Sequence, residues 1–394
     1  MMRETEKILI EGQEYILNKH TYAALSNDEK NPLYCVSVSN NSFSIDIWRG
    51  CLLDCAYCHV QGCYGDLKEK KRGGLSINYK PTRRNKSTIR EIVSALIHYE
   101  GFIPNYSPVS ICTSSTEPFL GDEIIQSTID IMHEFIKQGM KNPFWIVTKV
   151  GGIDIKWKDE VVKIIEHGNK ILISVCWTNN LIEIEPYHQN RFINLDWMER
   201  EGVLINWYMR PLVKEWNASL ENIRLIMEQA KKAGINFVNI CAGGLRWTEG
   251  IEFGLKCIHK LEMPKLVKND NEKTLDIEIE KYIKKLGREI FPDTPIYFKS
   301  SCALSEALKL PEINLLQFSF DKHCMDCPIE QKERCDTIKK IVYSKKCILD
   351  LPVLPELSQD EVLNIIKNND YADSNIAIKK ISFLLYKHYL DEYI

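Results

Sequence analysis

Residues 42–58 read SFSIDIWRGCLLDCAYC, and the interpretation of the whole chain starts from this stretch. Its first seven residues alternate apolar and polar side chains, a period of two that predicts a β-strand. The strand runs through Arg49 and Gly50 into three cysteines spaced Cys-x3-Cys-x2-Cys, at positions 51, 55 and 58. The stretch therefore predicts a strand whose following loop carries a group of thiols.

Strand and helix signals alternate from this stretch to residue 241. Short apolar runs predict strands at 42–48, 108–112, 144–148, 171–176, 203–208 and 236–241. Apolar stripes at helical spacing predict helices at 88–100, 121–138, 158–167 and 218–233. The first helix opens with Thr88-x-x-Glu91, a capping-box spacing. Because alternating strands and helices form parallel sheets, we expect an α/β fold built on a partial (β/α)6 TIM-like barrel. A doubly wound open sheet is the alternative.

The pattern changes after residue 262. A charged helical stretch at 274–290, a strand-like PIYF at 295–298 and further cysteines follow, and two prolines then punctuate the chain at 352 and 355. The predicted divisions are an N-terminal lead-in at 1–40, a barrel at 41–262, a small cysteine-rich C-terminal domain at 263–350 and a tail at 351–394. The tail carries two amphipathic helical patterns over 357–394.

Composition narrows the class of protein. The 394 residues are 44% hydrophobic and 27% charged, enough apolar material for a sizeable core. A net charge of −3 argues against a uniformly basic nucleic-acid coat. No apolar run reaches the roughly 18 residues of a membrane helix, and the N-terminus lacks a signal-peptide core. We therefore expect a cytoplasmic protein without a membrane partner, in which the 14 cysteines serve metal binding or chemistry rather than disulfides.

The cysteines at 51, 55 and 58, here called the first cysteine group, suit iron–sulfur chemistry. Soft thiolates bind iron–sulfur clusters, and three of them on one loop can hold three irons of a [4Fe–4S] cluster. The fourth iron would stay open to chelate a small molecule and to pass it an electron. The alternatives are a zinc loop or unrelated buried cysteines, although zinc motifs usually pair their cysteines two by two.

This cysteine spacing resembles that of the radical S-adenosylmethionine (SAM) superfamily. The resemblance implies that the open iron chelates the amino and carboxylate groups of SAM. It also implies reductive cleavage of SAM to methionine and a 5′-deoxyadenosyl radical, which abstracts hydrogen from a substrate. The protein would position the reactants and exclude water, since the cofactor carries the difficult chemistry.

Within the superfamily, residues 42–250 resemble the spore photoproduct lyase family. The matching motifs, in order, are Cys58-His-Val-Gln61, Ile111-Cys-Thr-Ser114, Ile146-Val-Thr-Lys149, Ser174 with Glu185-Pro186 and Arg191, and Arg210-Pro-Leu-Val213. His59 stands where the family has a tyrosine. The family does not need a second cysteine cluster, whereas this chain has one and an extra helical tail, and these departures count against the reversal of a DNA lesion.

The resemblance also implies roles for individual residues. Glu117, with Thr116, would face the SAM amino group, as a carboxylate suits an ammonium partner. Lys149 would pair the SAM carboxylate, and Ser174 would bond the polar edge of SAM. Tyr57 would lie near the adenine. The ordinary alternatives are a solvated lysine at the rim of the sheet and a hydroxyl satisfied within the core.

Cys112 matches the lyase cysteine that is thought to return a hydrogen atom to the product radical. The resemblance therefore implies a catalytic role, which suits a thiol because its S–H bond is weak. The alternative is that Cys112 is a small core residue, the usual fate of a lone cysteine in an apolar strand.

A second cysteine group follows the predicted barrel. Cys324, Cys327 and Cys335 are spaced Cys-x2-Cys-x7-Cys, and Cys302 precedes them by 22 residues. Four thiolates at these positions would hold a fully ligated auxiliary [4Fe–4S] cluster or a structural Zn²⁺. Cys347 or His323 are alternatives for the fourth ligand. Such a cluster would relay an electron from a substrate radical or staple a small domain.

A basic segment lies between the first cysteine group and the helix predicted at 88. Residues 66–86 carry eight lysines and arginines against two acidic residues. Such a segment near an active site suits phosphate contacts, although a solvated loop is the commoner case. The expected substrate is therefore a nucleic acid or nucleotide, with an external electron donor such as flavodoxin or ferredoxin. A peptide- or protein-modifying enzyme is the alternative, and a non-catalytic iron–sulfur or zinc binding module is the second alternative.

Overall fold

The computed structural model describes most of the chain up to residue 342. The described ranges are 5–10, 13–18, 24–26, 28–38, 42–58, 81–99, 102–112, 116–179, 181–185, 191–265, 275–312 and 327–342. All statements below refer to these residues. The two tail helices predicted over 357–394 lie outside them.

Twelve strands are numbered in chain order. They are β1 Thr5–Ile10, β2 Gln13–Asn18, β3 Val36–Val38, β4 Phe43–Ile45, β5 Trp48–Arg49, β6 Thr82–Arg83, β7 Val109–Ile111, β8 Phe144–Thr148, β9 Ile171–Cys176, β10 Leu204–Leu212, β11 Asn239–Gly244 and β12 Ile296–Tyr297. Eight of them form one sheet in the order β12-β11-β10-β9-β8-β7-β4-β3. Only the β3–β4 pairing in this sheet is antiparallel. The pairs β1–β2 and β5–β6 form separate antiparallel ribbons.

Helices alternate with the parallel strands. They are α1 Ile89–Ile97, α2 Asp122–Lys137, α3 Lys158–Glu166, α4 Leu195–Arg200, α5 Leu220–Lys232, α6 Glu249–Phe253, α7 Ile277–Ile290, α8 Ser300–Leu308 and α9 Ile329–Val342. Short 3-10 turns at Pro32–Cys35 and Ile155–Trp157 and a π-turn at Gly254–Ile258 complete the described elements. The chain is thus an α/β protein with a mainly parallel sheet.

The parallel strands lie side by side in the order in which the chain makes them. From β4 to β12 no described strand is inserted out of sequence. A doubly wound sheet reverses its order at a switch point, and no such reversal occurs among the described strands. Because the strands are parallel, their carboxyl ends meet at one edge of the sheet, here called the carboxyl edge.

Both faces of the sheet are covered, which is why its strands are apolar along their whole length. Ile171, Ile173 and Val175 of β9 belong to the large core packed under the helices. Leu172 and Cys176, on the opposite face of the same strand, pack with α8. This second face, here called the α8 face, also carries buried polar side chains.

Element bounds agree closely with the sequence where the signal is local. The strands predicted at 144–148 and 171–176 are confirmed. Helix α1 begins after Thr88 with the predicted capping box. Strand β10 continues to Leu212, beyond the predicted end at 208, and β11 begins at Asn239 rather than at 236.

Some elements were not predicted from the sequence. They are the β1–β2 hairpin, β3, α4, α6, α8 and α9. Strand β3 lies within the predicted lead-in and β12 within the predicted C-terminal domain, and both are strands of the main sheet. None of the helices that the structure describes combines the length and the apolarity needed to cross a bilayer.

Candidate functional site

The first cysteine group lies in the loop that leaves β4 and β5 at the carboxyl edge. Cys55 is buried, whereas Cys51 and Cys58 are partly exposed. The backbone N–H of Cys58 donates to the carbonyl of Cys55 at 3.0 Å, which turns the loop tightly. The N–H of Ala56 donates to the carbonyl of Ile184 at 2.8 Å and ties the loop to the segment that follows β9.

The three thiols influence one another, and the charge of Lys149 acts on two of them, Cys51 and Cys55. Burial raises the pKa of Cys51 to about 12 and that of Cys55 well above its usual range. Neighbouring thiols raise these pKa values further, because like charges oppose ionisation. The ammonium of Lys149 acts in the opposite direction on both groups. Lys149 is thus placed to favour the thiolate form that metal ligation requires.

Lys149 follows the last residue of β8 and is held by two partners. Its Nζ donates to the hydroxyl of Tyr57 and lies 3.2 Å from Oε1 of Glu185. It also lies 4.7 Å from the centre of the Tyr57 ring. Burial, the largest single effect, lowers the pKa of Lys149, but the charges of Glu185, Cys55 and Cys176 together raise it above its ordinary value.

Glu185 connects the cysteine loop to the end of β8. The Tyr57 hydroxyl donates to its Oε2 at 2.5 Å, and Arg191 Nη2 lies 2.6 Å from its Oε1. Arg191 also donates to the carbonyl of Lys149. The side chains of Glu185 and Arg191 are 6% and 3% exposed, so this ion pair is desolvated. The network fixes Tyr57 and, through it, the loop that bears the first cysteine group.

Glu117 lies after β7 and faces the end of β8. Its carboxylate accepts hydrogen bonds from the Thr148 hydroxyl at 2.5 Å and from the backbone N–H of Lys149 at 2.9 Å. Burial raises the pKa of Glu117, and these hydrogen bonds partly oppose the shift. Thr116 is also buried, and its hydroxyl has no hydrogen-bond partner among the described residues. The pair therefore lies at the carboxyl edge, and the buried Thr116 hydroxyl is unsatisfied by the described residues.

Ser174 and Cys112 lie away from this network. The Ser174 hydroxyl is buried on the α8 face and accepts a hydrogen bond from Trp145 Nε1 at 2.9 Å. Cys112 follows β7 with a φ of 53°, a left-handed conformation that breaks the alternation of the strand. It therefore belongs to the core under the helices and is fully buried there. The thiol lies next to the backbone of Ile47 and Trp48. The roles predicted for both residues stay predictions.

Three members of the second cysteine group lie near one another, and the fourth, Cys324, lies outside the described residues. Cys302, on α8, and Cys327, before α9, pack against the α8 face. The Tyr297 hydroxyl lies 3.9 Å from the sulfur of Cys327. Burial is the main reason that the pKa of Tyr297 is raised, and the charges of Cys327 and Cys302 raise it further. Cys335, on α9, lies close enough to Cys327 for the charge of Cys327 to raise its pKa.

Cys335 receives two hydrogen bonds to sulfur. The backbone N–H of Glu312 donates at 3.5 Å and Gln331 Nε2 donates at 3.4 Å. Burial raises the pKa of Cys335 to about 11, these donors lower it, and Cys327 raises it. Hydrogen bonds to sulfur are one of the means by which proteins adjust iron–sulfur clusters. The alternative ligands Cys347 and His323 lie outside the described residues.

The chemistry of the donor set bears on the kind of metal group that the first cysteine group could hold. In the part of the chain that the structure describes, no three His, Cys, Asp or Glu side chains are arranged to hold a metal ion. Ligands of one zinc ion all lie within about 2.3 Å of it. The thiolates of a [4Fe–4S] cluster each bind a different iron and are spread more widely. The donor set of the first cysteine group, three soft thiolates beside one cation, fits a cluster by its chemistry.

The basic segment 66–86 is described only at its end. Arg83 in β6 donates to the carbonyl of Ser87 at 2.7 Å, and Arg84 lies 5.3 Å from the ring centre of Tyr34. These two arginines therefore make local contacts. The rest of the segment lies outside the described residues, including the four cations around Glu69, which are Lys68, Lys70, Lys71 and Arg72.

The sequence did not single out several residues that the structure places at the carboxyl edge. Glu185 and Arg191 carried the family resemblance but had no role assigned to them. Cys176, which ends β9 on the same face as Ser174, lies within electrostatic reach of Lys149 and Glu185. Arg210 had only its neighbouring proline noted. Strand periodicity alone would have placed Cys176 and Arg210 on the α8 face at the ends of their strands.

Comparison with models of known protein families finds no match to this chain, and comparison with curated proteins finds no relative.

Proposed function

We propose that the chain is a radical SAM enzyme whose first cysteine group holds a [4Fe–4S] cluster. The observation that carries the proposal is the position of these cysteines at the carboxyl edge, directly after the first parallel strand and beside the Lys149 ammonium. Active sites of α/β sheets and barrels lie at this edge. A sheet whose strands follow chain order supports the partial (β/α)6 barrel that this reading requires.

The bound cluster would supply one electron for cleavage of SAM to methionine and a 5′-deoxyadenosyl radical. Cys51, Cys55 and Cys58 would hold it. Lys149 offsets the negative charge of the thiolates, and Glu185 keeps that ammonium in place. A lysine already paired in this way is less available to the SAM carboxylate than the family resemblance implies.

Glu117 and Thr116 remain the proposed partners of the SAM amino group. Two donors orient the Glu117 carboxylate, and the buried Thr116 hydroxyl has no partner among the described residues. A buried hydroxyl without a partner is costly, which favours a ligand at this position. Ser174 and Tyr57 keep their proposed positions at the polar edge and the adenine of SAM.

The proposed substrate is a nucleic acid or nucleotide. The proposal rests on the resemblance of residues 42–250 to the spore photoproduct lyase family and on the basic segment 66–86. Cys112 would then be the hydrogen-atom donor. Since Cys112 is fully buried under the helices, that role would require a rearrangement of the chain after β7.

A peptide- or protein-modifying enzyme is the second candidate. The observation that favours it is that the charges of Cys302 and Cys327 both act on Tyr297, and the charge of Cys327 also acts on Cys335. An auxiliary [4Fe–4S] cluster at these cysteines would accept an electron from a substrate radical, whereas a Zn²⁺ ion would only stabilise the domain.

Measuring 5′-deoxyadenosine tests the proposal. Anaerobically reconstituted protein, reduced in the presence of SAM, is expected to form 5′-deoxyadenosine. Added DNA or RNA should raise the rate under the first candidate, and added peptides should raise it under the second. Protein that holds a cluster but forms no 5′-deoxyadenosine under any condition would contradict both and leave a non-catalytic binding module.

A further inference from the structure

Arg210 is a buried cation without a counter-charge among the residues that the structure describes. It lies in β10 on the α8 face and is 8% exposed. Of the other cations described above, Lys149 is partly buried and Arg191 is buried, and the two share the carboxylate of Glu185. No carboxylate oxygen of the described residues lies within the 4.0 Å of an ion pair with Arg210. Because burying an unpaired charge is unfavourable, an anion at this position would stabilise the site.

The surroundings hold the guanidinium in place without neutralising it. Arg210 Nη1 donates to the Ser300 hydroxyl at 3.2 Å, and Nη2 makes long contacts with the carbonyls of Ala242 and Phe298 at 3.3 and 3.4 Å. Its Nε is buried and finds no hydrogen-bond partner within the described part of the chain. The guanidinium also lies 5.2 Å from the ring centre of Tyr208. Donors therefore remain that the described residues do not satisfy.

Gly243 in β11 makes room for this arrangement. A Cβ at this position would lie 2.8 Å from Arg210 Nε and 3.0 Å from Cζ. The guanidinium thus lies directly against the backbone of β11. Any larger residue at 243 would displace it from its position.

The N-terminus of α8 meets the same point. Ser300, which contacts Arg210, is the first residue of this nine-residue helix. Lys299 at the N-cap makes no side-chain capping hydrogen bond. The amino-terminal turn of a helix presents backbone N–H groups and partial positive charge, and both favour anions. Two independent features, an unpaired arginine and an uncapped helix start, therefore converge on one location.

We propose that Arg210 and the N-terminus of α8 bind a phosphate group of the substrate. A guanidinium fork, a hydroxyl and helix N–H groups together match the geometry of a phosphate. Phosphate sites of βα barrels are commonly built after the last strands with the N-terminus of a short extra helix, and α8 directly follows β12. The charge of Arg210 also reaches Cys176, which lies beside Lys149, so the site adjoins the carboxyl-edge network. That the phosphate belongs to the substrate rests on the proposed function.

Equilibrium dialysis of the full chain against radiolabelled inorganic phosphate tests the site itself. Wild type is expected to bind phosphate saturably, and Arg210→Gln to bind it about ten-fold or more weakly, as expected for loss of a charge-assisted hydrogen bond. Gly243→Ala should also weaken binding because it displaces the guanidinium. The control Arg224→Gln removes an exposed arginine paired with Glu289 and should bind like wild type.

Three results would overturn the proposal. They are a wild type that does not bind phosphate, an Arg210→Gln variant that binds it undiminished, and an Arg210→Gln variant that loses affinity for SAM but not for phosphate. Circular dichroism melting checks the fold, and Arg210→Lys, which keeps the charge, replaces Arg210→Gln if the latter does not fold. Phosphate binding needs no cluster. Failure to form 5′-deoxyadenosine would therefore contradict the proposed function without affecting this measurement.

Discussion

Glu185 joins two cations and a phenol at the candidate site. It pairs with Arg191 and Lys149 and accepts the Tyr57 hydroxyl. We predict that Glu185→Gln lowers the free energy of unfolding by about 3 kcal/mol, because the buried Arg191 and the partly buried Lys149 lose their common counter-charge. Denaturant unfolding monitored by fluorescence measures the change.

The matched control is Glu289→Gln, which breaks an exposed pair with Arg224 and should leave stability unchanged. The two variants remove the same charge, so a difference between them reports burial. Equal stability of both variants would show that Glu185 is not held in the desolvated network described above.

Glu117 makes stability depend on pH. Burial raises its pKa above the ordinary 4.5, so the folded state binds a proton more tightly than the unfolded state. Stability is therefore expected to fall as the pH rises from 4.5 through the raised pKa. Glu117→Gln keeps hydrogen-bonding capacity toward Thr148 and the Lys149 N–H without titrating, and should flatten this dependence. A variant with the unchanged slope would contradict the assignment.

For single residues, the sequence indicated the chemistry of a side chain better than the face of the sheet on which it lies. The first cysteine group and Lys149 were both predicted to lie at the carboxyl edge, since strand ends locate them. The burial of Cys112 under the helices was not predictable, because it depends on a left-handed backbone at the end of β7. The pairing of Lys149 with Glu185 joins residues 36 positions apart and leaves no local signal.

Among the elements, helix α1 carries the clearest local signal. The Thr88 hydroxyl accepts from the Glu91 N–H at 3.2 Å, and Glu91 Oε2 accepts from the Thr88 N–H at 2.7 Å. We predict that Thr88→Ala lowers the free energy of unfolding by about 1 kcal/mol, the usual contribution of an N-cap. Ser94→Ala, in the middle of the same helix, is the control and should not destabilise. A Thr88→Ala variant as stable as this control would contradict the cap.

The second cysteine group connects α8 and α9 to the α8 face. We predict that a Cys302/Cys327/Cys335→Ala variant loses bound iron or zinc from the C-terminal part and melts at a lower temperature, because metal binding to such thiolates contributes directly to folding. Metal analysis and thermal unfolding measure both effects. Unchanged metal content and melting temperature would leave these cysteines as ordinary packing residues.

Elements with strong periodicity were predictable and those fixed by tertiary contacts were not. Strands β8 and β9 are continuous apolar runs between helices, and their bounds agree with the sequence. Helix α8 escaped prediction because its first turn, Ser300-Ser-Cys-Ala303, has weak helix propensity and lacks a cap. Packing of Ala303, Leu304 and Ala307 on the sheet stabilises it instead.

At the scale of the whole molecule, the strand order fixes where the two cysteine groups lie along the sheet. The loop after β4 and the helix after β12 lie at opposite ends of a row of parallel strands. The α/β class and the parallel sheet follow from alternation in the sequence. The strand-like PIYF at 295–298 indicated β12, but the addition of β3 and β12 to the main sheet does not follow from the alternation, since both strands are very short.

The central claim is that the first cysteine group holds a [4Fe–4S] cluster. Iron and sulfide analysis with electron paramagnetic resonance, on anaerobically reconstituted wild type and a Cys51/Cys55/Cys58→Ala variant, tests it most directly. Cys35→Ala, a buried cysteine of neither group, is the control. The account predicts that the triple variant loses about four irons and the signal of a SAM-responsive cluster, while the control keeps both. A triple variant with the iron content and spectrum of wild type would contradict it.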